Sequence, residues 1–127
     1  MKIITVLHIC FVWNLCLAQF GIESDDSLNY YLQELEVDGQ INFLESRMEA
    51  AFYNDPPAMY NLVYHYDSIV TKHELEDLRA NVYNFKGNAH YTNQEFGLAL
   101  KEYLKAQTLI EQGQKGLGAL SLSLIHI

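Results

Sequence analysis

The chain has 127 residues, half of them hydrophobic, and it carries a formal net charge of −8 at pH 7. This length accommodates one domain, and this composition predicts a folded rather than a disordered chain. The charge is uneven, because the segment from Glu23 to Asp77 contains 13 acidic and two basic residues, a net charge of −11. So acidic a surface repels phosphate backbones, which argues against a nucleic-acid partner for this segment.

The first 18 residues have the three-part pattern of a secretory signal peptide. Lys2 supplies a positive start, residues 3–17 are almost wholly apolar, and Cys16 and Ala18 place small side chains at −3 and −1 of a cut. The apolar run is shorter than the ~20 residues that span a bilayer, which disfavours a permanent anchor. We therefore expect an exported protein that is periplasmic or extracytoplasmic after cleavage near Ala18. Both cysteines leave with the signal, so the mature chain would have none for a disulfide, a metal or a nucleophile.

After a polar leader at 19–26, apolar residues recur at helical spacing and predict three successive helices. We expect Ser27 to cap the first helix and Asp38-Gly39 to end it. Asp55-Pro56-Pro57 would end the second, because proline lacks an amide donor, and Pro57 would open the third. The three apolar faces are formed by Leu28, Tyr31, Leu32 and Leu35, by Ile41, Leu44, Met48, Ala51 and Phe52, and by Met59, Leu62, Val63, Tyr66, Ile69 and Val70.

Two capping boxes of the pattern Thr-x-x-Glu predict where the last two helices begin. Thr71 and Glu74 would open the fourth helix, Thr92 and Glu95 would open the fifth, and Gly113 would close it. Short turns make successive helices antiparallel, so the predicted fold is all-α and built from helical hairpins. The two apolar faces are formed by Leu75, Leu78, Val82, Phe85 and Ala89, and by Phe96, Ala99, Leu100, Tyr103, Ala106 and Ile110.

One stretch of 34 residues contains an ordered set of small and aromatic side chains. It runs Gly87-Asn88-Ala89-His90-Tyr91, then Phe96, then Ala99-Leu100-Lys101-Glu102-Tyr103-Leu104-Lys105-Ala106. Over residues 80–113 this order resembles one tetratricopeptide (TPR) repeat aligned without gaps. The resemblance implies that small residues let the two helices approach each other and that a large aromatic residue packs between them. The implied repeat positions are Tyr83, Gly87, Phe96, Ala99, Tyr103 and Ala106.

The resemblance is incomplete. Lys86 stands where the family has leucine, His90 where it has tyrosine, and Glu111 where a proline often ends the unit. Residues 27–79 match only through their periodicity, as degenerate helical hairpins. The family implies a TPR-like solenoid, in which antiparallel hairpins stack side by side and present a concave surface to a protein or peptide.

The end of the chain predicts an interruption. Residues 114–121 are expected to start a further repeat. Residues 122–127, LSLIHI, resemble the translation of the end of a transposon-derived sequencing adapter, which would not be part of the native protein. We therefore expect the natural reading frame to be cut near Ser121.

The sequence offers few candidates for chemistry. His73 and Glu74 lack the second histidine of the zinc pattern H-E-x-x-H, and an exposed helix start is the simpler interpretation. His65 and Asp67 are two residues apart and cannot share a helix face, and His90 is expected to replace a packing tyrosine. We assign no catalytic, cofactor-binding or metal-binding residue and expect no cofactor.

The nine tyrosines are the remaining candidates for binding. Aromatic side chains combine contact area with a polar tip, so tyrosines can line a peptide-binding groove. At helical spacing, however, most of them are expected in the core or at its boundary. The tyrosines considered are Tyr30, Tyr31, Tyr53, Tyr60, Tyr64, Tyr66 and Tyr91.

The expected function is a non-enzymatic scaffold for protein–protein interaction, formed by the TPR-like region of an exported protein. Its partner would be a protein or peptide. One version is the sensor part of a signalling regulator of the histidine kinase or helix-turn-helix type, which would contact the membrane only through a helix further along the chain. The alternatives are a free periplasmic structural scaffold and the accessory region of an enzyme whose catalytic domain lies elsewhere.

Overall fold

The computed structural model describes residues 25–113, which contain five α-helices, one 3-10 turn and no β-strand. The predicted all-α class is therefore confirmed over this range. The predicted signal peptide, most of the polar leader, the further repeat and the adapter-derived tail lie outside the described residues. Between residues 25 and 113 no helix is both long enough and apolar enough to cross a bilayer. The helices are α1 (Asp25–Gln33), α2 (Val37–Asn54), α3 (Ala58–Lys72), α4 (Arg79–Thr92) and α5 (Phe96–Glu111), and the 3-10 turn is Glu76–Leu78.

Two compact units divide the chain between Leu35 and Glu36. Helix α1 belongs to the first unit, and helices α2 to α5 belong to the second unit. It begins at Asp25, so Ser27 is inside the helix and not its cap, and the last two residues of the predicted leader are helical. Leu28 and Leu32 are buried, four residues apart as the helical period requires. Tyr31, which we predicted on the same face, is exposed.

Helices α2 and α3 form the first antiparallel hairpin, and the predicted apolar faces are largely confirmed. Asp38 and Gly39 do not break a helix as predicted, because they lie in the first turn of α2, where the acid suits the positive end of the helix dipole. Pro57 directly precedes α3 with a helical φ of −61°, which its ring presets. The buried residues are Ile41, Leu44, Met48 and Ala51 in α2, and Met59, Leu62, Val63, Tyr66 and Val70 in α3.

Helix α4 is the centre of the second unit, because it packs against α2, α3 and α5. Its buried residues surround most of the helix axis: Ala80, Asn81, Val82, Asn84, Phe85, Gly87 and Ala89. Helix α5 packs on α4 through a narrower set, formed by Ala99, Tyr103 and Ala106. Phe96 and Leu100 are exposed, so the prediction that placed them on the buried face of α5 is wrong.

The two predicted capping boxes are also wrong. Thr71 lies within α3, and Thr92 is the last residue of α4, so neither of them precedes a helix. Glu95 directly precedes α5, but its side chain makes no capping hydrogen bond. Helix α4 begins only at Arg79, after the 3-10 turn. The hydroxyl of Thr92 instead donates to the carbonyl oxygen of Phe52, 2.7 Å away in the other hairpin.

Helices α3 and α4 both end in a Schellman motif, in which a left-handed residue follows the helix. After α4 that residue is Gln94, with φ of 65°. Its amide donates to the carbonyl oxygen of Tyr91 at 3.0 Å, and the next amide, that of Glu95, donates to His90 at 2.8 Å. The same pair of hydrogen bonds surrounds Glu74, with φ of 53°, after α3. These motifs explain why both Thr-x-x-Glu patterns lie at helix ends.

Gln94→Gly is expected to stabilise the protein by about 1 kcal/mol, because a left-handed backbone strains an L-residue through its Cβ and does not strain glycine. Gly113, with φ of 96°, fills the same role after α5, as predicted. Urea unfolding followed by circular dichroism measures the difference. The control is Gln112→Gly at a φ of −80°, which should give no gain. Equal gains in both variants would contradict the explanation.

Candidate interaction surface

The turns of the two hairpins meet at one end of the second unit. The side-chain amide of Asn93, directly after α4, donates to the carbonyl oxygen of Pro56 at 2.9 Å. Together with the bond from Thr92 to Phe52, it ties the α4–α5 turn to the α2–α3 turn. Both bonds are partly buried, and the Pro56 carbonyl oxygen also accepts from the backbone amide of Met59 at 3.2 Å. The backbone of the two turns is therefore held in one relative position.

Aromatic rings gather around these turns. Phe52 and Tyr91 are stacked, with ring centroids 6.2 Å apart and planes 5° from parallel. Tyr91 makes an edge contact with Phe96 at 5.4 Å, and Phe52 makes one with Tyr53 at 5.0 Å. These are favoured geometries for aromatic pairs. Tyr53 is 77% exposed and Phe96 is 59% exposed, so the outer part of this aromatic end cluster (Phe52, Tyr53, Tyr91 and Phe96) faces solvent.

A hydrogen-bonded group of three side chains borders the aromatic end cluster. The Tyr60 hydroxyl donates to the Glu95 carboxylate, and the same carboxylate oxygen lies 3.2 Å from Nδ1 of His90. The Tyr60 and His90 rings meet edge to face at 5.8 Å. The hydrogen bond to Glu95 raises the pKa of Tyr60 to about 12, with smaller contributions from burial and from the carboxylate charge. The bonds from Tyr60 and then His90 lower the pKa of Glu95.

These pKa shifts set the charge states of Tyr60 and Glu95 at neutral pH. The Glu95 carboxylate stays ionised and the Tyr60 hydroxyl stays protonated, since each stabilises the present charge state of the other. A phenol with a raised pKa is a poor general acid or base near pH 7. The arrangement is therefore suited to presenting aromatic area beside a fixed negative charge.

A polar seam joins the end of α3 to the start and middle of α4. The Asp67 carboxylate forms ion pairs with Lys86, at 2.8 Å, and with Arg79, at 3.0 Å. The Thr71 hydroxyl is hydrogen-bonded to both Asp67 and Arg79. Burial is the largest single influence on the pKa of Asp67 and opposes ionisation. The hydrogen bond and charge of Lys86, with Thr71 and Arg79, outweigh it, so the pKa is lowered. One partly buried carboxylate thus joins two cations across the seam.

Four of the six implied repeat positions meet between α4 and α5. The ring of Tyr103 lies against Gly87, and its hydroxyl donates to the side chain of Asn88 at 2.7 Å. Ala99 and Ala106 are buried on the same side of α5. Small residues therefore occur at the close approach of these helices.

The other two positions lie elsewhere. Tyr83 is half-buried, with the ammonium groups of Lys86 and Lys105 5.7 and 5.5 Å from its ring centroid. Phe96 is not in the core but in the aromatic end cluster. Lys86, which departs from the TPR pattern, forms an ion pair with Asp67 in the polar seam.

The predicted tyrosines divide into two groups. Tyr66 is fully buried, whereas Tyr53, Tyr60 and Tyr64 are exposed, so more of them reach the surface than we expected. The sequence did not predict that the rings of Phe52, Tyr91 and Phe96 contact one another. The hydrogen bond that positions Phe52 joins residues 40 positions apart, and no local pattern indicates it. Across residues 25–113, no three His, Cys, Asp or Glu side chains are arranged to hold a metal ion.

Comparison of the chain with protein-family models, with curated proteins and with solved structures gives no match.

Proposed function

We propose that this chain is a protein–protein interaction module and that the aromatic end cluster is its contact surface. The observation that carries the proposal is the exposure of Tyr53 and Phe96 beside the stacked pair of Phe52 and Tyr91. Aromatic residues are enriched at interfaces and at the positions that dominate binding energy, because each buries a large area with few rotatable bonds.

The rigidity of this end supports the proposal. The cross-hairpin bonds of Thr92 and Asn93 and the Tyr60–Glu95 bond hold the ring-bearing backbone before any partner arrives. A surface ordered in advance loses less conformational entropy on binding, so more of its contact energy appears as affinity. The ionised Glu95 at the edge offers an acceptor to an amide, hydroxyl or cationic group of the partner.

A TPR-like arrangement is part of the proposal. It is supported by the close approach at Gly87 and Tyr103, and by the packing of α4 against the preceding hairpin as well as α5. In such solenoids each hairpin contacts its neighbours and leaves side chains free for a partner. Export of the module, and its place in a signalling regulator, stay predictions that rest on the sequence pattern of residues 1–18 and on the resemblance.

Selection of a displayed random peptide library on the immobilised chain tests the proposed surface. We expect enriched peptides whose affinity falls at least about tenfold for Tyr53→Ala and for Phe96→Ala, as for the anchors of an interface. Both side chains are exposed, so the variants should remain folded.

The matched control is Tyr64→Ala, which removes a tyrosine of similar exposure on α3 outside the cluster. It should leave peptide affinity unchanged. If the selection enriches no peptide, or if selected peptides bind Tyr53→Ala and Phe96→Ala as tightly as the parent, the aromatic end cluster is not a protein-binding surface.

A further inference from the structure

Helix α5 carries an exposed stripe on the side opposite the residues that it buries against α4. Leu100 and Leu104 are each roughly half exposed, and Leu98 at the edge is exposed to the same degree. Two lysines, Lys101 and Lys105, lie among these leucines. Single exposed leucines are ordinary, but Leu100 and Leu104 lie one helical turn apart, and such an exposed apolar pair beside two lysines is a candidate interface. The α5 stripe lines a shallow cleft of about 480 Å³ and is formed by Gly97, Leu100, Lys101, Leu104, Lys105 and Thr108.

A second cleft, of about 660 Å³, lies where the start of α2 meets the residues around the 3-10 turn. It combines apolar side chains with five carboxylates, and it is hereafter the acidic cleft. Its apolar members are Ile41, Leu75 and Leu78, and its acidic members are Asp38, Glu45, Glu74, Glu76 and Asp77. Carboxylates alone would simply be hydrated, but here they surround apolar surface of the kind that the leucines of α5 also expose.

We propose that copies of this chain associate head to tail, with the α5 stripe of one copy in the acidic cleft of the next. The two surfaces are complementary in two respects, since each offers aliphatic side chains and the stripe carries lysines where the cleft carries carboxylates. Lys105 also pairs with Glu102 of its own helix at 2.9 Å, so Lys101 is the lysine that is expected to contribute most. The whole chain has the same asymmetry. Its net charge is −11 between Glu23 and Asp77 and +2 from Leu78 onward, with five basic and three acidic residues.

The geometry of such a contact has a direct consequence. Because the stripe and the cleft are different surfaces, the contact is heterologous, and each added copy still presents one unused stripe or cleft. Assemblies should therefore grow with concentration instead of stopping at a dimer. This inference goes beyond the proposed function and uses none of the residues of the aromatic end cluster, so either can fail without the other.

Sedimentation velocity of the full chain over a range of concentrations tests the inference. We expect the average mass to rise with concentration at low salt and to fall when salt is added, because exposed charge pairs are screened. Leu104→Asp in the stripe and Asp77→Lys in the cleft should each weaken association at least about tenfold. Both positions are exposed, and circular dichroism melts should show that both variants keep the parent fold.

Mixing the two variants distinguishes this arrangement from the pairing of two stripes. Leu104→Asp retains a working cleft and Asp77→Lys retains a working stripe, so an equimolar mixture should form dimers that do not grow further. A chain that stays monomeric at every concentration would overturn the proposal. So would undiminished association of Asp77→Lys alone, since two intact stripes would then be sufficient.

Discussion

Gly87→Val is expected to lower the free energy of unfolding by about 3 kcal/mol, the upper part of the usual cost of overpacking a core. A Cβ at this position would lie 2.6 Å from Cδ1 and 3.0 Å from Cζ of Tyr103. The ring has little room to retreat, because Tyr103 is buried and its hydroxyl is bonded to Asn88. Valine adds two methyl groups beyond that Cβ. Urea unfolding followed by circular dichroism measures the loss.

Gly97→Val is the matched control, since it makes the same substitution in α5. No atom lies within 4 Å of a Cβ built at Gly97. Its free energy of unfolding should stay within about 0.5 kcal/mol of the parent, as for surface substitutions in general. Equal losses in the two variants would mean that Gly87 is not required for the approach of α4 and α5.

Tyr66→Ala is expected to cost about 3–5 kcal/mol, the range found when a buried aromatic side chain is truncated. Tyr66 is completely buried in α3, and its ring meets that of Phe85 edge to face at 5.0 Å. Its hydroxyl donates to the Glu45 carboxylate at 2.9 Å, which links α3 to α2. The substitution removes the packing and leaves Glu45 without this donor.

Tyr64→Ala provides the comparison on the same helix. Tyr64 is 69% exposed, and its free energy of unfolding should change by no more than about 0.5 kcal/mol. Thermal melts of the two variants should therefore differ widely. Similar melting temperatures would mean that α3 does not present Tyr66 to the core, and the orientation of the helix would be wrong.

The existence of the helices could be predicted because apolar residues recur at the helical spacing, and most of these residues are buried. In α2, for example, Ile41, Leu44 and Met48 follow the helical spacing and are all buried. The ends of α3 and α4 could not be predicted in this way. Each ends at a left-handed residue that is not glycine, Glu74 or Gln94, so the sequence gives no sign of the turn. The Thr-x-x-Glu pattern then suggested helix starts where helices in fact end.

The candidate surface depends on tertiary contacts that the spacing of apolar residues along the sequence does not indicate. Phe96 falls at a helical spacing that fits the core, yet it is exposed, because α5 buries a narrow side centred on Ala99 and Ala106. Tyr53 lies near the end of α2, and its position beside the α4–α5 turn follows from bonds between distant residues. Aromatic content could be counted from the sequence, but not which rings would meet.

The central position of α4 has a consequence for how the second unit opens. Helix α5 can detach from α4 and leave the contacts of α4 with α2 and α3 in place. Helix α4 cannot detach without separating from three helices at once and exposing Val82, Phe85 and Ala89 together. Its backbone amides should therefore exchange with solvent deuterium only through global unfolding, whereas those of α5 also exchange through local opening. Local opening in this unit should therefore become easier with distance from α4.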